Sequence, residues 1–500
     1  MGIVDKLREK FEHTHIEIPI KKPDTTRHST STNVIEIDTV DKRVIYRNRF
    51  NNGVNLGSLF VLESWIFDSQ LTECGGNCEL ECIRNISQKI SPNEAINRLS
   101  EHYKRYINSI NWTWLRDVTK ITAMRVPIGY WHVDNGSFTK GLPFETLMGI
   151  YEETKPWDVF KSLIEKANQY NIGILIDIHG LPGGANNDSH SGDITSNSSF
   201  FSTSKYVNKM IDEVIPFIIN DTVLPYENII GIQVVNEAKF SEKGKAEKNY
   251  YEKAIKAINK LAPGLPIVIS DGWWPEQWSD WLDKEHLDPF VVIDSHVYRC
   301  FSDNDKSKTA QQIIEDLEKS VNFPYDKADF MVGEFSCVLD EQTWSKTEGV
   351  KEDWVKKFGN EQIKVFNKVA SWGWFFWTLQ FQWGDGGEWG FVPQVQNGAI
   401  PLRSLSPIKI DEMKLNSIFE EHVNYWNGKG DKFEHERYKD GLRQAASDIQ
   451  LFDKFDNSRI GRLHSWKLMR KEQYIKAHGD SEFMWEWEQG YQRGIMEFNK

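Results

Sequence analysis

The chain has 500 residues, with 73 acidic against 60 basic side chains, a net charge of −13 and 20 tryptophans. This balance argues against nucleic acid or an anionic membrane surface as partner, and no apolar run approaches the ~18 residues of a membrane span. The length would allow three domains, yet a (β/α)8 barrel with insertions absorbs most of such a chain as one.

Residues 1–45 are polar and read as a mobile arm leading into a short strand around Val44 to Tyr46. The opening residues lack the apolar core of a signal peptide. With an odd cysteine count of five, which fits a reducing compartment, the expectation is a soluble, cytoplasmic protein. Cys74, Cys78 and Cys82 are spaced by four and could share a helical face. However, Gly75-Gly76 would break that helix and a structural zinc takes four ligands, so they read as free thiols.

From Gly53 onward, apolar strand-like runs alternate with amphipathic helical patterns eight times, which predicts an α/β fold, the (β/α)8 barrel. The strands are expected at 53–56, 123–127, 172–179, 229–237, 266–270, 291–296, 330–334 and 374–377. Stretches 157–170, 250–261, 310–321 and 355–370 repeat apolar residues at three- and four-residue intervals between them. The expected layout is an arm over 1–45 and a barrel over 46–400. Residues 401–500 then give the last barrel helix and a helical extension packed on the barrel.

Arg125, His179, Glu237, His296, Glu334 and Trp377 sit where the strand-like runs end. A barrel opens all eight carboxyl ends on one face, so these residues should converge there. Two glutamates on strands four and seven suit paired carboxylate chemistry on a glycosidic bond. One must be protonated to help the leaving oxygen depart, and the other ionised, so their surroundings must drive their pKa values apart. Asn236 can hold a sugar hydroxyl, and Arg125 can keep the ionised carboxylate charged. Two other classes are open. His132, His179, His190, Asp177, Asp294 and His296 offer ligands for a metal-dependent hydrolase, although strand one lacks a His-x-His pair. A non-catalytic sugar-binding barrel should have lost one glutamate, and both are present.

The motifs Gly53-Val54-Asn55-Leu56-Gly57, Arg125-Val126-Pro127-Ile128-Gly129, Asp177-Ile178-His179-Gly180, Asn236-Glu237, His296-Val297-Tyr298, Gly333-Glu334-Phe335-Ser336 and Phe376-Trp377-Thr378 resemble glycoside hydrolase family 5. The likeness spans roughly residues 45–400 and is to the branch of the fungal exo-1,3-β-glucanases. It implies a retaining β-glycosidase acting on a carbohydrate or glycoside substrate without metal or organic cofactor. By this resemblance Glu237 is the acid/base and Glu334 the nucleophile. Arg125, His179, Asn236, His296 and Tyr298 surround them, Trp377 is the platform under the sugar, and Glu63 binds sugar hydroxyls.

The chain departs from that branch at Ser189-His190-Ser191-Gly192, where the secreted glucanases carry Asp-Asn-Ser-Gly, and in residues 401–500, which have no obvious counterpart in them. Trp487, Tyr491 and Ile495 form a stripe at four-residue spacing that should pack on the barrel wall, although Gly490 and Gly494 weaken the helix.

Overall fold

Eight parallel strands close into a barrel in chain order: β1 (Asn51–Asn55), β2 (Ala123–Gly129), β3 (Gly173–Gly180), β4 (Ile229–Gln233), β5 (Ile267–Ser270), β6 (Val291–Val297), β7 (Asp329–Phe335) and β8 (Gly373–Phe376). β8 returns to pair with β1, so no sheet edge is left open. The computed structural model describes residues 41–67, 69–193, 197–239, 242–284, 290–402, 406–430 and 432–500. Most of the arm expected over 1–45 therefore lies outside the described residues.

Strands such as β3, β4 and β5 are largely apolar because helices cover the outside and side chains fill the inside, whereas β1 is rich in asparagine. All eight strand segments foreseen in the sequence are present. One boundary differs in a way that matters: β4 ends at Gln233, four residues before Glu237. The Val234 amide still donates to Val268, and then the chain turns outward, with Glu237 at φ +41°. Helices Pro156–Gln169, Lys245–Leu261, Ala310–Ser320 and Lys351–Val369 bury one face each, matching the predicted periodicity.

Two compact units make up the chain, the barrel over residues 51–403 and a unit joining the stretch up to residue 50 with 404–500. In the second unit the strand expected around Val44 to Tyr46 is instead the helix Lys42–Asn48, capped by the Asp41 side chain accepting from the Arg43 amide. Three consecutive strand-forming residues were too short a signal to outweigh a good N-cap. Ile45 joins a core of Ala445, Ile449, Phe452, Trp466, Trp487, Tyr491 and Ile495.

The stripe of Trp487, Tyr491 and Ile495 lies on helix Met484–Phe498 and is buried against helix His435–Asp453 within the second unit. The glycines that weakened the helical pattern explain this. A Cβ at Gly490 would stand 2.0 Å from the Tyr438 carbonyl oxygen, and one at Gly441 would stand 2.1 Å from that of Trp487. The two helices meet backbone to backbone, and only glycine permits that distance.

The three clustered cysteines do not share a helix. Helix Glu79–Lys89 begins after Cys78, and Cys74 precedes the Gly75-Gly76 turn. None of the five cysteines is in a disulfide. Among the described residues no helix is long and apolar enough to cross a membrane.

Candidate active site

The carboxyl ends of the strands carry a layer of polar side chains inside the barrel, centred on Arg125. It has no exposed surface, so every donor on it must find a partner. Its Nη1 donates to Glu334 Oε1 and to Asn55 Oδ1, both at 2.9 Å. Nε donates to Gln233 Oε1 at 2.9 Å and Nη2 to Asn236 Oδ1 at 2.6 Å. Nη2 also lies 3.1 Å from Asp177 Oδ2. Burial alone would lower this guanidinium, but Asp177, Glu334 and Asp294 outweigh it, so Arg125 stays charged.

Strand register sets this arrangement. Asn55 pairs with Arg125 across β1 and β2, Asp177 with Gln233 across β3 and β4, and His296 with Glu334 across β6 and β7. A Cβ at Gly333 would meet Asp294 Oδ1 at 2.2 Å, so glycine there lets the Asp294 carboxylate take the Gly333 amide at 2.7 Å. That contact turns Asp294 toward His296 Nε2, 3.0 Å away.

His296 stands between the two glutamates. Its Nδ1 is 2.6 Å from Glu237 Oε1 and 3.4 Å from Glu334 Oε2. Burial alone would lower it, yet Glu334, Asp294 and Glu237 overcome that and hold the imidazole well above its ordinary range. Both nitrogens face carboxylates, so it carries both protons. Burial pushes Glu237 upward, but the His296 hydrogen bond and the charges of His190 and His296 win and hold it at about 2. A general acid at this position would have to carry a proton. In the free cleft the proton of this pair instead rests on the imidazole, one short hydrogen bond away.

Glu334 receives Arg125 on Oε1 and the Tyr298 hydroxyl on Oε2 at 2.9 Å. His179 is buried and neutral, its pKa lowered by burial. Its Nδ1 faces Asp177 at 2.7 Å and its Nε2 accepts from Asn236 at 3.2 Å. Trp377 follows β8 directly and lies nearly parallel to the His179 ring. Glu63 takes a hydrogen bond from Trp65 Nε1 at 3.0 Å, and burial, with the neighbouring carboxylates, raises it to about 7.

A cleft of about 910 Å³ opens here, and Glu63, His190, Glu237, His296, Tyr298, Glu334 and Trp377 all line it. Arg125, His179 and Asn236 lie beneath, positioning the groups that reach the surface. His132, one of the candidate metal ligands, is elsewhere. It packs with Trp131 and Tyr151 around the buried Glu79, whose Oε1 receives all three side chains. Asp177 and Asp294 turn to Arg125 and their histidines, so the six candidate ligands form no common metal set.

Of Ser189 and His190, which depart from the glucanase pattern, only His190 lines the cleft. Its Nε2 lies 3.4 Å from Glu237 Oε2 and finds no hydrogen-bond partner among the described residues, whereas Ser189 is exposed. Sequence reasoning missed Asn55 and Gln233, although a glutamine inside an all-apolar run was a usable signal. It also missed Trp65, Trp273, Phe301 and Trp389, aromatic residues of the cleft wall carried on loops without periodicity.

Residues 88–382 match the family model described as Cellulase (glycosyl hydrolase family 5). The chain belongs to glycoside hydrolase family 5. It is a glycoside hydrolase, and residues 410–500 also match the model of the glucan 1,3-β-glucosidase 3 C-terminal domain. An uncharacterised glycosyl hydrolase of Saccharomyces cerevisiae is 51% identical over the whole of both chains. Glucan 1,3-β-glucosidase 3 of Schizosaccharomyces pombe is 28% identical over 90% of this chain and 95% of its own. Among solved structures, a rutinosidase from Aspergillus niger aligns with a TM-score of 0.53 at 18% identity, covering 71% of this chain and 99% of that one. This last likeness speaks for the fold alone.

Proposed function

We propose that this family 5 member is a cytoplasmic, retaining β-glucosidase that cleaves small or lipid-linked β-glucosides by double displacement and acts weakly on polymeric 1,3-glucan. Glu334 is the nucleophile and Glu237 the acid/base. The observation that carries the mechanism is the spacing of the two carboxylates: an oxygen of Glu237 and one of Glu334 lie within 4.8 Å of each other. Retaining enzymes set their carboxyl groups ~5–5.5 Å apart, whereas inverting ones need ~6.5–9.5 Å to admit a water between them. Arg125 and Tyr298 each donate to one oxygen of Glu334, which fixes the aim of the attacking carboxylate.

The proton for the leaving oxygen is at hand. Transfer along the 2.6 Å contact from His296 Nδ1 to Glu237 Oε1 yields a neutral carboxylic acid and a neutral imidazole. After the aglycone departs, Glu237 as carboxylate takes a proton from water, and the hydroxide equivalent breaks the glycosyl ester on Glu334. Trp377 supplies the flat wall on which a pyranose ring can rest.

The substrate class is supported by His190, which occupies a place where the glucanases that the sequence resembles carry a hydroxyl-binding asparagine, and by the aromatic wall of Trp65, Trp273, Phe301 and Trp389. The reducing compartment is supported by five cysteines that form no disulfide.

A slowly reacting 2-fluoro β-glucoside should label Glu334 covalently, and NMR of the first product should show the β anomer. A label elsewhere, or an α product, would overturn the mechanism.

A further inference from the structure

The C-terminal unit contains a second convergence of ligating side chains. Helix Glu412–Trp426 supplies His422, helix His435–Asp453 supplies His435 at its first residue, and helix Met484–Phe498 supplies Glu486. We propose that His422, His435 and Glu486 form a divalent-metal site, suited to zinc, that ties these three helices together.

Both imidazoles aim at one oxygen. His422 Nε2 and His435 Nδ1 each lie 2.8 Å from Glu486 Oε2, and the three ligand atoms are mutually within 4.8 Å. The other oxygen, Oε1, is held by the Glu434 amide at 2.8 Å. A monodentate zinc carboxylate has this disposition, one oxygen on the ion and the other fixed by a neighbouring donor. Tetrahedral zinc with bonds near 2.0–2.1 Å holds its ligands ~3.3 Å apart, so entry requires the two contacts to open by roughly half an ångström.

Charge points the same way. Glu486 has no exposed surface, and among the described residues neither lysine nor arginine pairs with it. A buried carboxylate without a cation is costly, and a divalent ion at this point would supply the missing charge. The surroundings are aromatic: Tyr438 stacks on His422 with centroids 3.7 Å apart, Phe433 stacks on His435, and Trp426 and Trp485 flank His422. His422 is nearly buried while the His435 side chain is 24% exposed, which leaves the fourth position on the solvent side for water. Three protein ligands with one water complete a tetrahedral set.

The test uses full-length protein carrying no histidine tag. Elemental analysis should find about one zinc per chain in the wild type, and below about a tenth in His435→Ala and Glu486→Gln. Glu237→Gln should keep its zinc, which separates this site from the histidines and carboxylates of the cleft. Should either ligand variant fail to fold, chelated wild-type protein titrated with zinc should bind one equivalent saturably and gain about 3 °C or more in Tm. The same protein loaded with cobalt should show a visible absorption band. Wild-type protein that holds no zinc and takes none up saturably would reduce the cluster to a hydrogen-bonded hub, and zinc retained by His435→Ala would place the ion elsewhere. Either result overturns the proposal.

Discussion

Replacing His190 with asparagine tests how the cleft handles its proton. Burial alone would lower His190, yet Glu237, Glu63 and Glu334 raise it above its ordinary range, so it holds positive charge beside Glu237 to higher pH than a free imidazole would. Two unit charges 3.4 Å apart interact by about 5 kcal/mol at an effective dielectric of 20. His190 and Glu237 side chains are 16% and 15% exposed, and solvent screening brings the coupling nearer to 1–3 kcal/mol, or roughly 1–2 pH units. The sign follows from charge. A cation beside Glu237 repels a further proton on the pair, so removing it strengthens proton binding there. The basic limb of the kcat/KM profile on an aryl β-glucoside should therefore move to higher pH by about 1–2 units. A limb that stays within about 0.3 units while only kcat falls would refute the coupling and leave His190 as a packing residue.

Arg125→Met removes the side chain that contacts Glu334, Asp177 and Asn55 together, and stranding buried charges should cost about 3–5 kcal/mol in chemical denaturation. An unchanged midpoint would contradict the account of the polar layer. Gly490→Ala sets a methyl 2.0 Å from the Tyr438 carbonyl. The forced separation should outweigh the ~1 kcal/mol gain in helix propensity and lower stability by about 1–3 kcal/mol, whereas a rise in Tm would show that the helices do not meet there. Laminarin oligomers should give lower kcat/KM than aryl or lipid β-glucosides, and a clear preference for long laminarin would refute the substrate assignment. Restoring Asp at 189 and Asn at 190 should shift that ratio toward glucan, and no shift would mean that these positions do not select the sugar.

The barrel was legible because strands covered on both faces recur as short, largely apolar runs between amphipathic helical stretches, with polar residues gathered toward their carboxyl ends. Ile229 to Ile232 announce β4, and Asn236-Glu237 announce the mouth. What local pattern could not give is where β4 stops. Gln233 keeps its place in the strand because its side chain is held by Arg125 and Asp294, partners more than fifty residues away. The site was legible where a residue ends a run, as with His296 and Glu334, and illegible where loops supply it, as with Trp273 and Phe301. Gly490 shows the limit from the other side. Local propensity counts a helical glycine as a weakness, and only the facing backbone reveals it as the point of closest contact.

The pairing of Arg49 with Ile460 and the burial of Ile45 among residues 445–495 have a consequence for synthesis. The helix Lys42–Asn48 leaves the ribosome before the barrel, and its partners leave after it. At about 5–20 residues per second, roughly tens of seconds separate the two. Through that interval Ile45 and Tyr46 lack the core that later covers them, while the barrel sequence has already emerged and can close. The helical unit is thus completed only when a stretch made after the barrel finds a segment made before it. A stop codon soon after residue 403 would leave that first helix permanently without its core, a species that chaperones and proteases can recognise by its uncovered apolar face.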